Sequence, residues 1–310
     1  MKPSIYGWIL ALGCIILLVA IIPFSSGYIQ TFIFNTLMFL ILAASWNIFS
    51  GYSGYVSLGH VTFFGVGAYV TAFLITKASL TPSISLIFGG VAASALAALI
   101  GGIVLRLRGA YFSIATFGLN EVFKTIAVNI QKAEGTLGIV VPPIPSRALS
   151  CYIALIIALS TVMTTFFIER SRIGYALISI RADEKVAEGL GINTFKYKLI
   201  TYVIGSFFPG VLGGLFAWHA AYIDPHSVFT PFYSFYSMIF SIFGGVGTVL
   251  GPIIGTTILS IFQELLWARL SYLYLLIYGA AVAIIILYMP KGLLGAVKYV
   301  SSTLLSKKVR

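Results

Sequence analysis

The chain has 310 residues, of which 59% are hydrophobic and only 9% charged, and its mean hydropathy is +1.03. Soluble domains run at about a quarter charged, so an ordinary soluble enzyme or binding domain is excluded. The net charge of +11 does not mark nucleic-acid binding, because the basic residues are spread through short loops and form no dense patch.

Repeated apolar runs near the length of a bilayer crossing, without sustained alternation, read as membrane helices and not as barrel strands. The chain opens with Lys2 and an apolar run over 5–22. That run resembles a secretory signal, and 11–14 reads ALGC, but it continues past Cys14 to Ile22 and favours an uncleaved first helix. Ten spans are expected, at 7–22, 29–49, 57–76, 84–104, 110–130, 151–168, 199–220, 232–243, 253–266 and 270–288. The eighth and ninth are short and read as broken or partly re-entrant, which is tolerated where protein covers the open backbone. Cys14 and Cys151, the only cysteines, both lie in apolar segments, so neither a disulfide framework nor a metal site is expected.

Between the sixth and seventh spans lies a polar island over 170–198, with six of the nineteen basic and three of the eight acidic residues. Such a segment is too costly to place in hydrocarbon and must be a loop held in water. With ten spans and both termini cytoplasmic, fourteen basic residues fall inside and five outside (Lys77, Lys124, Lys132, Arg147 and Arg269). This bias places the island in the cytoplasm. The stretch 181–188 contains no helix breaker before Gly189, and it predicts one amphipathic helix. Ala182, Val186 and Leu190 make its apolar stripe, while Asp183, Glu184 and Glu188 face mostly water. Gly189 and Gly191 stop it, and Asn193 or Thr194 caps the next helix. Two readings are open for this helix: docking into a groove on a soluble partner, or lying against its own bundle.

Gly247, Gly251 and Gly255 recur every four residues, as do Gly210 and Gly214. Close helix packing explains that spacing, and a flexible gate including Gly244, Gly245 and Gly247 is the alternative. Pro209 is expected to bend the seventh span. Polar residues inside spans are functional candidates by default. Asn47, His60, Asn120 and Glu121 are these, and they are the possible lining of a translocation path. Glu121 and Lys124 stand three residues apart and can pair, with an ion path through Glu121 as the alternative. His60 reads as a packed, hydrogen-bonded histidine or as part of the gate. The chain contains no GxxxxGK[ST] phosphate loop, no HExxH and no GxSxG. It is therefore expected to be no enzyme, and energy for active transport would enter through a partner at the island.

Five stretches then carry a resemblance: AASWNIFSGYSGYVSLGHVTFFGVGAYVTAFL (43–74), LRLRGAYFSIATFGLNEVF (105–123), SRIGYALISIRADEKVAEGLGINTFKYKL (171–199), FGGVGTVLGPIIG (243–255) and MPKGLLG (289–295). The chain resembles the LivM-type permease subunits of branched-chain amino acid ABC transporters. The resemblance implies an all-α polytopic membrane protein of eight to ten spans, a single transmembrane domain over 1–310 in the cell membrane. The island would be its coupling helix, with Arg181, Ala182, Glu184, Ala187, Gly191 and Asn193 at the contact with an ATPase. The implied partners are a LivH-like second permease, two LivG/LivF-like ATPases and an extracytoplasmic binding protein for leucine, isoleucine and valine. ATP and Mg would sit on the partner ATPases, with no cofactor on this chain. Lys185, Val186 and Tyr175 depart from the residues common in relatives at those positions. Urea or amide permeases are similar, and a secondary transporter is the remaining class, expected to place paired charges at its midplane.

Overall fold

The computed structural model describes residues 19–133 and 135–269, with 273, 276–277, 279–280, 283 and 292–295. The predicted first span apart from its end, Cys14, most of the predicted tenth span, the start of the 289–295 stretch and the basic tail over 296–310 lie outside these residues. Eleven α-helices, a 3-10 turn (Ile22–Phe24), a π turn (Asn47–Gly51) and one two-stranded pairing are the regular elements of the described part. They are α1 (Gly27–Trp46), α2 (His60–Thr76), α3 (Pro82–Val104), α4 (Ala110–Ala133), α5 (Arg147–Glu169), α6 (Arg172–Ala182), α7 (Glu184–Gly189), α8 (Thr194–Ala220), α9 (Pro225–Val228), α10 (Phe232–Gly244) and α11 (Leu250–Arg269). β1 (Ile139–Val140) pairs antiparallel with β2 (Tyr222–Ile223), Ile139 facing Ile223.

Among the described residues five helices are long and apolar enough to cross a membrane: α1 with the turn that extends it, α3, α5, α8 and α11. This is a multi-pass membrane protein, but the expected count of about ten spans is not reached among the described residues. The ends of these helices follow ordinary capping chemistry. Ser26 Oγ accepts from the Ile29 amide and opens α1, Ser146 Oγ accepts from Leu149 and opens α5, and Pro82 starts α3 in its first turn.

α8 is the central helix and packs against α1, α2, α3 and α5. Small residues permit the approach. A Cβ added at Gly67 of α2 would lie 2.0 Å from the Gly210 carbonyl oxygen, and one at Gly213 of α8 would lie 1.9 Å from that of Phe64. Helices in lipid associate through packing of this kind, because hydrocarbon offers no hydrophobic drive between them. Pro209 sits inside α8 without ending it.

Two sequence expectations are corrected here. Gly247 is not in helical register with Gly251 and Gly255: it has φ +76° and lies in the turn joining α10 to α11. That left-handed conformation is open to glycine at little cost, and it ends the four-residue series. The island is also not one helix over 181–188. Asp183 is extended, with φ −160° and ψ 115°, and its side chain accepts from the Val186 amide at 3.1 Å. Asp is a strong N-cap, so it closes α6 and opens α7.

The eighth span, read as broken or partly re-entrant, is one short unbroken helix, α10, and the ninth, read as short, is the 20-residue α11; the interruption lies before α10. After β2 the chain makes α9 and then a non-helical link that carries Phe229 between α2 and α4, where Asn120 Nδ2 donates to the Phe229 carbonyl at 2.8 Å. Ser234 Oγ accepts from the Val61 amide at 3.0 Å. The Phe229 carbonyl freed at this break is thus met by protein, and α10 in turn meets a free amide at the start of α2. α10, with 13 residues, covers only the remaining depth.

Candidate coupling site

α6 and α7 form a hairpin against the bundle. Its inner side is a small apolar cluster of Tyr52, Leu177, Ile180 and Ala187, flanked by Ile173, Ile192 and Tyr197. Beside that cluster is a buried charge network. Lys198, at the start of α8, is 3% exposed, and its Nζ lies 2.6 Å from Glu184 Oε1. The same ammonium donates to the Leu105 carbonyl at 3.3 Å and sits 4.5 Å from the centre of the Tyr55 ring. The Tyr55 hydroxyl donates to Glu184 Oε2. Arg108 approaches the same carboxylate at 3.8 Å and Glu188 at 3.5 Å, and Thr194 Oγ1 donates to Glu188 at 2.9 Å.

Burial works against the charged form of Glu184. Hydrogen bonds from Lys198 and Tyr55, with the Lys198 and Arg108 charges, outweigh it and hold its pKa below the usual carboxylate value. Burial, with the hydrogen bond to the same carboxylate, pushes the Tyr55 phenol up. Glu184 therefore does not face water, contrary to the sequence expectation. An amphipathic stripe drawn on a single helix cannot anticipate a lysine fourteen residues later.

A second anchor leads inward. Arg181 Nη1 donates to the Gly51 carbonyl at 2.8 Å. Gly51 ends a π-helical turn, Asn47–Gly51, that continues α1. Asn47 opens that turn: its Oδ1 accepts from the Gly247 amide at 2.8 Å, and its Nδ2 donates to the Thr248 carbonyl at 2.9 Å. Ser241 Oγ of α10 then bonds the Ala43 carbonyl at 2.8 Å. A continuous run of polar contacts thus joins the hairpin, the end of α1 and the α10–α11 turn. Single π turns of this kind recur at functional positions.

Of the six island residues singled out from the sequence, Arg181, Glu184 and Ala187 face their own bundle. Asn193 caps α8 by accepting from the Lys196 amide at 3.0 Å. Gly191 takes φ +83° in the turn, and Ala182 is exposed. The outer side carries the rest of the predicted apolar stripe, Val186 at 58% and Leu190 at 75% exposed, and Tyr175 and Ile178 of α6 are exposed as well. Lys198, Tyr55 and Arg108 were missed. The only available signal was a lysine at the last position of the island, directly before the predicted seventh span.

The residues expected along a path are divided by the fold. Asn47 and Asn120 are fully buried in the chain's own packing, and His60 Nε2 is 2.9 Å from Ser45 Oγ in the core. Gly244 is pressed on α11, where an added Cβ would lie 1.7 Å from the Gly251 carbonyl oxygen, and Gly245 has φ +135° in the turn. Glu121 instead stands on the outside of α4, 3.5 Å from Lys124. No group of three or more potential metal ligands occurs among the described residues.

Comparison with known proteins decides the family. The model of the branched-chain amino acid transport system permease component matches residues 28–289. The chain belongs to this permease family. It is 28% identical to the high-affinity branched-chain amino acid transport system permease protein LivM of Salmonella typhimurium over 291 residues, 84% of this chain and 68% of that protein. LivM of Escherichia coli matches equally, 28% over 293 residues. LivH of Escherichia coli is 35% identical over 138 residues, 44% of each chain. No solved structure matches. Similarity to both LivM and LivH fits a permease that works as one of a related pair.

Proposed function

We propose that this permease is one of two related membrane subunits of an ATP-driven importer of leucine, isoleucine and valine. The observation that carries the coupling role is the two-sided hairpin 170–198: its inner side is clamped by Lys198, Glu184 and Arg181, while Val186 and Leu190 are left bare at its tip. A rigidly held segment with an exposed apolar tip transmits a push, because the clamp carries motion of the tip into the bundle. Two ATPases with ATP and Mg would supply that push on the cytoplasmic side, where the basic-residue bias puts the hairpin and both termini. A binding protein on the outer side would deliver the substrate.

In this reading Val186, Leu190 and Ala182 touch the ATPase. Arg181, Glu184, Ala187, Gly191 and Asn193 set the hairpin's position. Asn47 with Gly244, Gly245 and Gly247 forms the hinge that the hairpin moves, His60 and Asn120 brace the helices beside it, and Glu121 faces the path. The expected ten spans place the unit in the cell membrane.

The test uses proteoliposomes holding this chain, its paired permease and the ATPases, with the binding protein outside. ATP-dependent uptake of labelled leucine, abolished by Leu190→Asp together with ATPase binding, is the expected result. Uptake of urea alone would move the substrate. Uptake driven by an ion gradient without ATP would overturn the coupling role.

A further inference from the structure

α4 is not one of the five helices long and apolar enough to cross a membrane, yet its ends place it across the full thickness of the bundle. At one end Arg108, two residues before it, meets Glu188 beside the start of α8. At the other end the chain runs into β1, which pairs with β2 just after the end of α8. Its 24 residues reach about 36 Å, enough to cross the hydrocarbon. One face is buried through Phe112, Thr116, Asn120, Ala127 and Gln131. The opposite face carries Ile114, Gly118, Glu121 and Thr125 at helical spacing, and a Cβ added at Gly118 meets nothing within 4 Å.

Glu121 and Lys124 sit at the middle of this helix. Their charged ends are 3.5 Å apart, with side chains 45% and 23% exposed. A half-open ion pair at the depth of the bilayer centre cannot stand against lipid at acceptable cost, so a polar space lies in front of it. We infer that Glu121 and Lys124 form a mid-membrane subsite for the two charged ends of a zwitterionic amino acid, on a path bounded opposite by the second permease. This rests on the importer reading and names residues and ligand chemistry within it.

The chemistry is complementary. An α-amino acid carries one ammonium and one carboxylate on neighbouring atoms. The ammonium is taken by Glu121 and the carboxylate by Lys124 as the pair loosens. The sum of charge stays zero throughout, so no uncompensated ion is left in the low-dielectric region. The long, exposed contact matters, since a site on a path must release what it takes. Gly118, one turn earlier, leaves room for the apolar side chain.

The full complex in proteoliposomes, with its ATPases and binding protein, is assayed for labelled leucine uptake and for ATP hydrolysis. Co-purification with the paired permease is checked for each variant. Glu121→Gln and Lys124→Gln are each expected to lower leucine uptake per ATP roughly ten- to a hundredfold, as one end of the zwitterion loses its counter-charge. The uncharged double variant E121Q/K124Q is expected to stay low, while E121K/K124E recovers part of the uptake. Wild-type uptake in E121Q/K124Q would overturn the subsite and make the pair structural. Loss of the paired permease from the single variants would overturn it in favour of a subunit seam. If the wild-type complex imports no amino acid on ATP, the importer reading itself falls, an outcome read before any variant is made.

Discussion

Two lysine–glutamate pairs of the same chemistry have opposite settings in this chain. Lys198 and Glu184 lie 2.6 Å apart with almost no solvent access, tied further to Tyr55 and a backbone carbonyl. Lys124 and Glu121 are 3.5 Å apart on an outward helix face. A sealed, multiply bonded pair has no capacity left for a ligand and fixes geometry. A loose, open pair fixes little and retains capacity. The difference separates a clamp from a candidate ligand site without reference to conservation.

The sharpest way to break this contrast is to remove one charge from each pair. Lys198→Met leaves the part-buried Glu184 carboxylate with only Tyr55 and the more distant Arg108, and is expected to cost about 3 kcal/mol, read as a lowered thermal midpoint of the purified protein in detergent. Lys198→Met with Glu184→Leu should regain most of that loss. The clamp also carries a pH signature. The Glu184 pKa is lowered in the fold, so its contribution is complete above the ordinary carboxylate range and is lost as pH falls through the lowered folded value. Thermal midpoints should therefore drop on acidification, and the drop should shrink in the double variant.

Arg181→Ala removes the donor to the Gly51 carbonyl and is expected to cost about 1–3 kcal/mol. Its more informative effect is on coupling: ATP hydrolysis should persist while leucine uptake falls. Equal loss of both would mean that Arg181 only supports the hairpin. Gly191→Ala forces a side chain into φ +83° at a cost of about 1–2 kcal/mol, with no clash, since no atom lies within 4 Å of the added Cβ. The smallest expected effect on stability is that of Lys124→Gln, about 0–1 kcal/mol, because Glu121 opens onto the polar space in front of the pair. A thermal loss as large as that of Lys198→Met would erase the contrast.

Much of the fold was legible in the chain. Apolar length set α1, α3, α5 and α8 close to their observed ends, and of the two caps offered for α8, Asn193 and Thr194, Asn193 is the one used. The polar island was legible because charge is so rare elsewhere. Its internal geometry was not. Asp183 reads as an unremarkable helix residue until its side chain bonds Val186, and Glu184 reads as solvated until Lys198 is brought back by the turn at Gly191. The π turn at Asn47–Gly51 and the pairing of β1 with β2 depend on contacts distant in sequence. α4 was placed by its length, but which side of it faces out follows only from Asn120 reaching Phe229 and Gln131 reaching Tyr69.

The break before α10 bears on how the chain enters the bilayer during synthesis. A 13-residue helix is about 20 Å long and cannot by itself cross some 30 Å of hydrocarbon. Its partners, Asn120 for the Phe229 carbonyl, Ser234 with the Val61 amide and Ala43 for Ser241, belong to or contact α1, α2 and α4. All three helices leave the ribosome first. The segment 222–244 thus emerges after the helices it contacts, and its polar contacts are made to protein and not to lipid.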